Sequence, residues 1–122
     1  MKKYNKEVIE RYGNTEEYLD YEEKTKDYDK KMFDNLKNMM SEIFLKFSNN
    51  LKENIPSSDM KTLELVFELQ KFLSDNFFYC SNEVLLGIAN TYICDNRFKE
   101  FVDSGSVGTA EYVLEAVKYY CK

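Results

Sequence analysis

The side chains with most scope for chemistry in this 122-residue chain are three thiols, Cys80, Cys94 and Cys121, in a sequence without one histidine. A thiol needs a base or a favourable field to become a nucleophile, and the missing imidazole removes Cys-His and Ser-His catalysis together. It also removes histidine-ligated haem and zinc held by a pair of helical histidines. Three is an odd number of cysteines, and no two stand in C-x-x-C spacing, so they read as reduced thiols rather than a disulfide framework. Cys80 has two readings. It lies just ahead of a helix start at Ser81, where the helix dipole lowers a thiol pKa, and it also suits the part of a small buried hydrophobe. Cys94 and Cys121 read as structural. The carboxylates Glu16, Glu17, Glu22, Glu23, Asp27 and Asp29 are interleaved with Lys24, Lys26 and Lys30, the pattern of a solvated, ion-paired face. Acid–base catalysis needs two carboxylates in a dry, converging pocket, and nothing places a pair on an apolar face. The residues argue against an enzyme, and they require no metal and no cofactor.

The rest of the chain bounds what these groups can belong to. Its length suits one domain that buries roughly 65% of its unfolded surface, enough for a true core. The net charge is −5, and lysines alternate with acids instead of forming a basic stripe, so binding of nucleic acid by this chain is not expected. No apolar run approaches the length of a membrane span, and the N-terminus has no signal-peptide core. A cytoplasmic location is the expectation, with Met1-Lys2-Lys3 as a natural start. One proline and four glycines leave little room for the turns of an all-β fold, so the class expected is all-α.

Composition breaks near residue 31. All nine phenylalanines follow Lys31, whereas the residues before it hold Tyr4, Tyr12, Tyr18, Tyr21 and Tyr28 and few aliphatics, chiefly Val8, Ile9 and Leu19. Such a segment buries too little apolar surface to offset its own ordering entropy, and it becomes helical only by docking its tyrosines elsewhere. The expectation is a helical body over residues 29–122 and a marginal N-terminal lid over 4–28.

Helix signals follow in order. Residues 4–11 form a short helix stopped at Gly13; Asn14 caps a second helix that runs to about Asp27. Asp29 caps a long helix, roughly 30–53, with Phe33, Leu36, Met40, Ile43, Phe44, Phe47 and Leu51 in one stripe and Pro56 as its stop. Ser57 or Ser58 caps a helix over about 58–75, with Leu63, Val66, Phe67 and Leu73 inward. Ser81 caps a helix to Cys94, with Leu85, Ile88, Ala89 and Tyr92 in register. Asp95 restarts a short helix to Val102, tied at the junction to Arg97. Ala110, Val113, Leu114 and Val117 line the last helix, about 109–121.

Two stretches carry a resemblance. The first is Glu10-Arg11-Tyr12-Gly13 with Thr15 and Tyr18, continued by Lys24, Thr25 and Tyr28. The second, about seventy residues on, joins Cys80 and Glu83 to Gly87-Ile88-Ala89 and Tyr92-Ile93-Cys94-Asp95-Asn96-Arg97-Phe98; Gly108, Ala110 and Tyr112 follow. In this order the chain resembles the TipAS-type antibiotic-recognition domain, normally the drug-binding half of a MerR-like transcription activator and here without the DNA-binding half. The resemblance implies a compact globin-like bundle of five to seven helices without haem. It also implies non-catalytic binding of a bulky hydrophobic, thiopeptide-like antibiotic in a cleft closed by the N-terminal helices, so that the drug is sequestered.

The ligand-binding set expected of such a cleft is Tyr12, Tyr18, Met40, Phe44, Leu69, Phe78, Cys80, Leu85 and Tyr92. Tyrosines supply a ring to stack and a hydroxyl to donate, and equally a means of docking the lid. Met32, Met39, Met40 and Met60 near Phe44 and Phe47 form either an adaptable wall or plain core. Three positions depart from the family pattern: Tyr12 replaces a tryptophan, Leu69 a frequent histidine, and Gly87 a second cysteine. Covalent capture through that second thiol is therefore not carried over. The alternative is an interaction or regulatory module that keeps the fold, binds no drug and forms a homodimer through its tyrosine-rich face.

Overall fold

A computed structural model describes residues 16–122, and every element in it is helical. The helix expected over 4–11 and the Asn14 cap lie outside the described residues. In chain order the elements are α1 (Glu16–Thr25), α2 (Lys30–Lys52), α3 (Met60–Asn76), α4 (Asn82–Cys94), α5 (Asn96–Val102) and α6 (Thr109–Tyr120). The all-α expectation holds, and most boundaries fall where the caps predict. Asp29 accepts from the Met32 N–H at 2.9 Å, Ser81 from Val84 at 3.2 Å, and Asp95 from Arg97 at 2.9 Å. Each satisfies one of the donors that a helix start leaves orphaned. Arg97 also returns its guanidinium to Asp95 at 3.2 Å, and these hydrogen bonds hold the half-buried carboxyl below its ordinary pKa.

Two boundaries differ from expectation. Helix α2 ends before Pro56 is reached, because Asn54 takes a left-handed conformation (φ 60°). Its N–H turns back to Leu51 O at 3.0 Å and that of Ile55 to Asn50 O at 2.9 Å. This is the Schellman pattern, with asparagine where glycine is commoner. Helix α3 then starts from Asp59, which accepts from Lys61 N–H at 2.9 Å, and neither Ser57 nor Ser58 is its cap. Pro56 serves instead as the first residue of the turn that leads in, its carbonyl accepting from Asp59 N–H at 3.0 Å.

The core lies where α2 crosses α6 and meets α3, α4 and α5. The stripe read on α2 is the buried one: Leu36, Ile43, Phe44 and Phe47 are inside. Phe44 sits edge-on to Tyr92 at 5.4 Å and to Phe101 at 5.9 Å; Phe47 sits edge-on to Tyr112 at 6.5 Å. Full burial of each phenylalanine contributes about 1.5–3 kcal/mol, and the edge-to-face geometry adds to that. The inner face of α3 is rotated from the one expected. Thr62, Val66, Leu69, Phe72 and Leu73 are buried, Leu63 is half-buried and Phe67 is 56% exposed. The rotation follows from α6, which runs parallel to α3 and pairs Thr62 with Tyr112 and Gln70 with Tyr120.

Buried hydroxyls stitch these helices without leaving polar groups unpaired. Thr109 donates to Ser106 O at 2.7 Å, so Ser48 must donate to Thr109, also at 2.7 Å. Tyr112 and Thr62 lie 2.8 Å apart beside the carbonyls of Ile55 and Pro56, giving three contacts for two protons. Helix α6 begins at Gly108 (φ 96°), which has no side chain to cap with; the Asp103 carboxylate accepts from Ala110 N–H at 2.8 Å instead.

Two glycines should respond oppositely to alanine. A Cβ on Gly105 would meet Ser48 Cβ at 3.0 Å and Leu45 Cδ2 at 2.7 Å, so Gly105→Ala should destabilise by about 1–3 kcal/mol in urea unfolding. Gly87, in the middle of α4, has nothing within 4 Å of such a Cβ, so Gly87→Ala should stabilise by up to about 1 kcal/mol.

Candidate ligand-binding site

The connection between α3 and α4 is the densest polar junction near the candidate residues. Phe77 and Phe78 N–H both turn back to Leu73 O, which ends α3 and swings the chain through Tyr79 to Cys80. Cys80 is anchored from both sides: its N–H donates to Ser74 Oγ at 3.0 Å, and its carbonyl accepts from Gln70 Nε2 at 2.9 Å. Gln70 Nε2 also reaches Asn82 Oδ1 at 2.8 Å, and Gln70 Oε1 accepts from the Tyr120 hydroxyl at 2.8 Å. One side chain thus ties α3 to the start of α4 and the end of α6. The periodicity of α3 marks Gln70 only as a polar position, which is why sequence reasoning missed it.

The nine residues read as ligand-binding separate into three groups. Phe44, Leu69, Cys80, Leu85 and Tyr92 belong to one contiguous buried cluster, with Met40 and Phe78 half-buried against it. Tyr18 lies on α1 with its side chain outside the described residues, as does all of Tyr12. Leu69, standing where a histidine is frequent in the family pattern, is wholly buried and makes an apolar contribution alone. Of the methionines among the described residues, Met32, Met39 and Met60 are exposed and Met40 packs against the core.

The surface of the described residues carries open depressions, of which two lie near the candidate elements. One, of about 280 Å³, runs between α2 and α3 beside Met39, Ile43 and Phe72. The other, of about 460 Å³, lies at the α4–α5 junction among Asn90, Thr91, Cys94, Asp95 and Asn96. Neither is lined by any of the nine candidates.

Several contacts tie α1 and the residues after it to the end of α3 and the start of α2. Its Tyr21 ring stacks on Phe77 at 6.3 Å and 17°, and Phe77 lies edge-on to Phe72 at 5.9 Å. The Lys24 ammonium donates to Ser74 O, and the Tyr28 hydroxyl donates to Asn76 O at 2.8 Å. Tyr28 also meets Phe33 edge-on at 5.5 Å. Lys24 and Tyr28 fall in the Lys-Thr-x-x-Tyr run; that spacing was the signal available, and it did not reveal what the two side chains touch.

Burial decides between the two readings of Cys80. Its thiol is pushed up from its ordinary 9.0 to about 12, chiefly by desolvation and further by the neighbouring Cys121 thiol. The dipole at the start of α4 does not overcome this, so Cys80 is a protonated, small core residue. Tyr92 is raised too, by burial first and then by Cys80. Among the described residues no group of His, Cys, Asp and Glu could hold a metal ion. Both shifts are upward, so the stability they contribute is present below the ordinary values, 9.0 for the thiol and 10.0 for the phenol, and is lost as pH rises above each. The unfolding free energy from urea titrations should therefore fall above pH 9, by up to about 1.4 kcal/mol per pH unit for each group titrating. In native chain at pH 7.5, a maleimide should label exposed Cys94 and leave Cys80 unmodified; prompt labelling of Cys80 would contradict its burial.

Comparison with known proteins agrees with this architecture. The HTH-type transcriptional activator TipA of Streptomyces coelicolor is 25% identical over 114 residues, covering 93% of this chain and 45% of the relative. TipA of Streptomyces lividans matches to the same extent. The chain thus spans about half the length of these curated relatives. A solved structure of Streptomyces lividans TipAS in complex with nosiheptide, from a thiopeptide antibiotic multidrug resistance system, superposes with a TM-score of 0.86. It is 24% identical, and the match covers 98% of this chain and 84% of that one, so the globin-like helical fold is shared. The family model for the TipAS antibiotic-recognition domain matches residues 4–120, across α1 and the body alike. With that span and the fold in agreement, the chain belongs to the TipAS antibiotic-recognition domain family, which recognises ligands and is not a family of enzymes.

Proposed function

We propose that this chain is a non-catalytic receptor that sequesters a bulky hydrophobic, thiopeptide-like antibiotic between a helical body (29–122) and a lid (4–28). The observation that carries the reading is the family match over 4–120, which takes in the lid segment as well as the body. The physical asymmetry of the structure supports it. The body is closed by a continuous apolar core, whereas the contacts that seat α1 and the residues just after it include a ring stack and hydrogen bonds from Lys24 and Tyr28 to backbone carbonyls. A ten-residue helix is marginal alone, so α1 can leave at small cost and return over a guest. Phe78 and Met40, half-buried at the edge of the core, would meet the guest first. Phe44, Leu69, Cys80, Leu85 and Tyr92 would form the floor behind them, with Tyr12 and Tyr18 supplied by the lid.

The two depressions described above are small beside a multi-ring peptide, and in this reading the lid moves to admit the guest. Affinity would come from buried aromatic area, offset in part by ordering the lid. The protonated Cys80 fits a non-covalent floor. In this reading the chain acts in the cytoplasm, binds no nucleic acid by itself and lowers the free concentration of drug.

A second reading rests on the outer face of α3. Met60 and Phe67, two helical turns apart, are 68% and 56% exposed, an apolar pair suited to a homodimer or a partner helix. Nosiheptide titration with tyrosine fluorescence and far-UV circular dichroism separates the two. The drug-binding reading expects saturable quenching with a gain of helical signal. No response to several thiopeptides, with concentration-dependent sedimentation abolished by Phe67→Lys, would select the interaction module instead.

A further inference from the structure

Resting on the lid reading for its purpose, we infer that Lys24 and Tyr28 form a polar latch that docks α1 on the C-terminal end of α3. The last four carbonyls of a helix have no partner within it, and a buried or crowded end needs donors from elsewhere. Helix α3 has no basic residue in its last turn, and its C-cap is Phe77 rather than a glycine or asparagine turn. Phe77 and Phe78 N–H converge on a single carbonyl, that of Leu73, at 2.9 and 3.1 Å. The donors come from the lid. Lys24 places its ammonium on Ser74 O and Tyr28 its hydroxyl on Asn76 O, so a cation sits at the negative end of the helix dipole.

Among the described side chains of α1, apolar contact does little to set this docking. Leu19 of α1 is 59% exposed, and the Tyr21–Phe77 stack fixes a distance without fixing which turn of α3 is engaged. The two carbonyls lie two residues apart at the terminus, and no other end of α3 offers them. They therefore select the register.

The latch also connects to the candidate floor. Ser74 accepts from Lys24 through its carbonyl and from Cys80 N–H through its hydroxyl, so one residue anchors both the lid and the turn bearing Phe78 and Cys80. Gln70 continues that link to Asn82 and Tyr120. A guest that shifts the 77–80 turn changes the geometry of Ser74 and Asn76, and with it the hold on α1. The lid thereby senses occupancy of the floor without touching the guest at these positions.

Hydrogen–deuterium exchange on the full chain without ligand tests the latch directly. Lys24→Met and Tyr28→Phe keep the length and ring while removing the donors; in the double variant the amides of residues 16–25 should exchange roughly ten- to a hundredfold faster. Protection across α3, α4 and α6 should be unchanged, which excludes global destabilisation. Lys26→Met, which removes only an exposed pair with Glu23, should leave α1 as it was. Unaltered α1 protection in the double variant, or α1 already unprotected in the parent, would overturn the latch. A nosiheptide titration run alongside keeps the two ideas apart. A responsive latch with no drug binding sinks the receptor reading alone, and drug binding with α1 indifferent to both substitutions sinks the latch alone.

Discussion

The edge-to-face closure of Phe44 between Tyr92 and Phe101 is the contact on which the rest of the body depends. It brings α2, α4 and α5 to one point and sets the distance at which α6 can pass beneath α2. That close passage requires Gly105, whose missing side chain admits Ser48, and it requires hydroxyls in place of methyls where Ser48 meets Thr109. A chain of two hydroxyls ending on a carbonyl satisfies every buried donor there, so close approach costs no unpaired polar group. The body is rigid because its apolar and polar requirements are met by the same few residues.

The lid is built on the opposite principle. The one aliphatic side chain of α1, Leu19, is mostly exposed, and the contacts that hold this segment include a ring stack and hydrogen bonds to backbone carbonyls at the end of another helix. Hydrogen bonds of that kind are directional and individually modest, so they define a geometry while leaving the docked state shallow. A receptor for large, varied guests gains from this division. In the proposed receptor the core would supply a fixed floor and the weakly held element an adaptable wall. Cys80 illustrates the same economy: its burial removes reactivity and leaves a compact apolar side chain in the core.

The aromatic and aliphatic stripe of α2 and the caps Asp29, Ser81 and Asp95 were legible in the sequence because they are local. A helix start depends on one side chain and the N–H two or three residues on, and an amphipathic face depends only on spacing. The Schellman stop at Asn54 was hidden behind the louder signal of Pro56, since asparagine announces a left-handed turn less plainly than glycine does. The face of α3 was read one step off, with Phe67 inward. Periodicity gives a helix's apolar residues but not which neighbour claims them, and the hydroxyl pair Thr62–Tyr112 drew α3 round toward α6. Family membership was legible through Glu10-Arg11-Tyr12-Gly13 and the run from Cys80 to Phe98, whose order no composition argument would supply.

By itself, then, the sequence determined an all-helical, histidine-free domain with a rich core after residue 31 and a polar, tyrosine-bearing segment before it. Those properties are sums over residues or patterns within a single helix, and they survive any arrangement of the helices. The tertiary structure alone decided that the Cys80 thiol is silenced and that Gln70 ties three elements together. It alone brought Lys24 and Tyr28 to the end of a helix some fifty residues away. Desolvation, hydrogen-bond partnership and capping across helices depend on distances between segments, and the linear order of residues does not contain those distances.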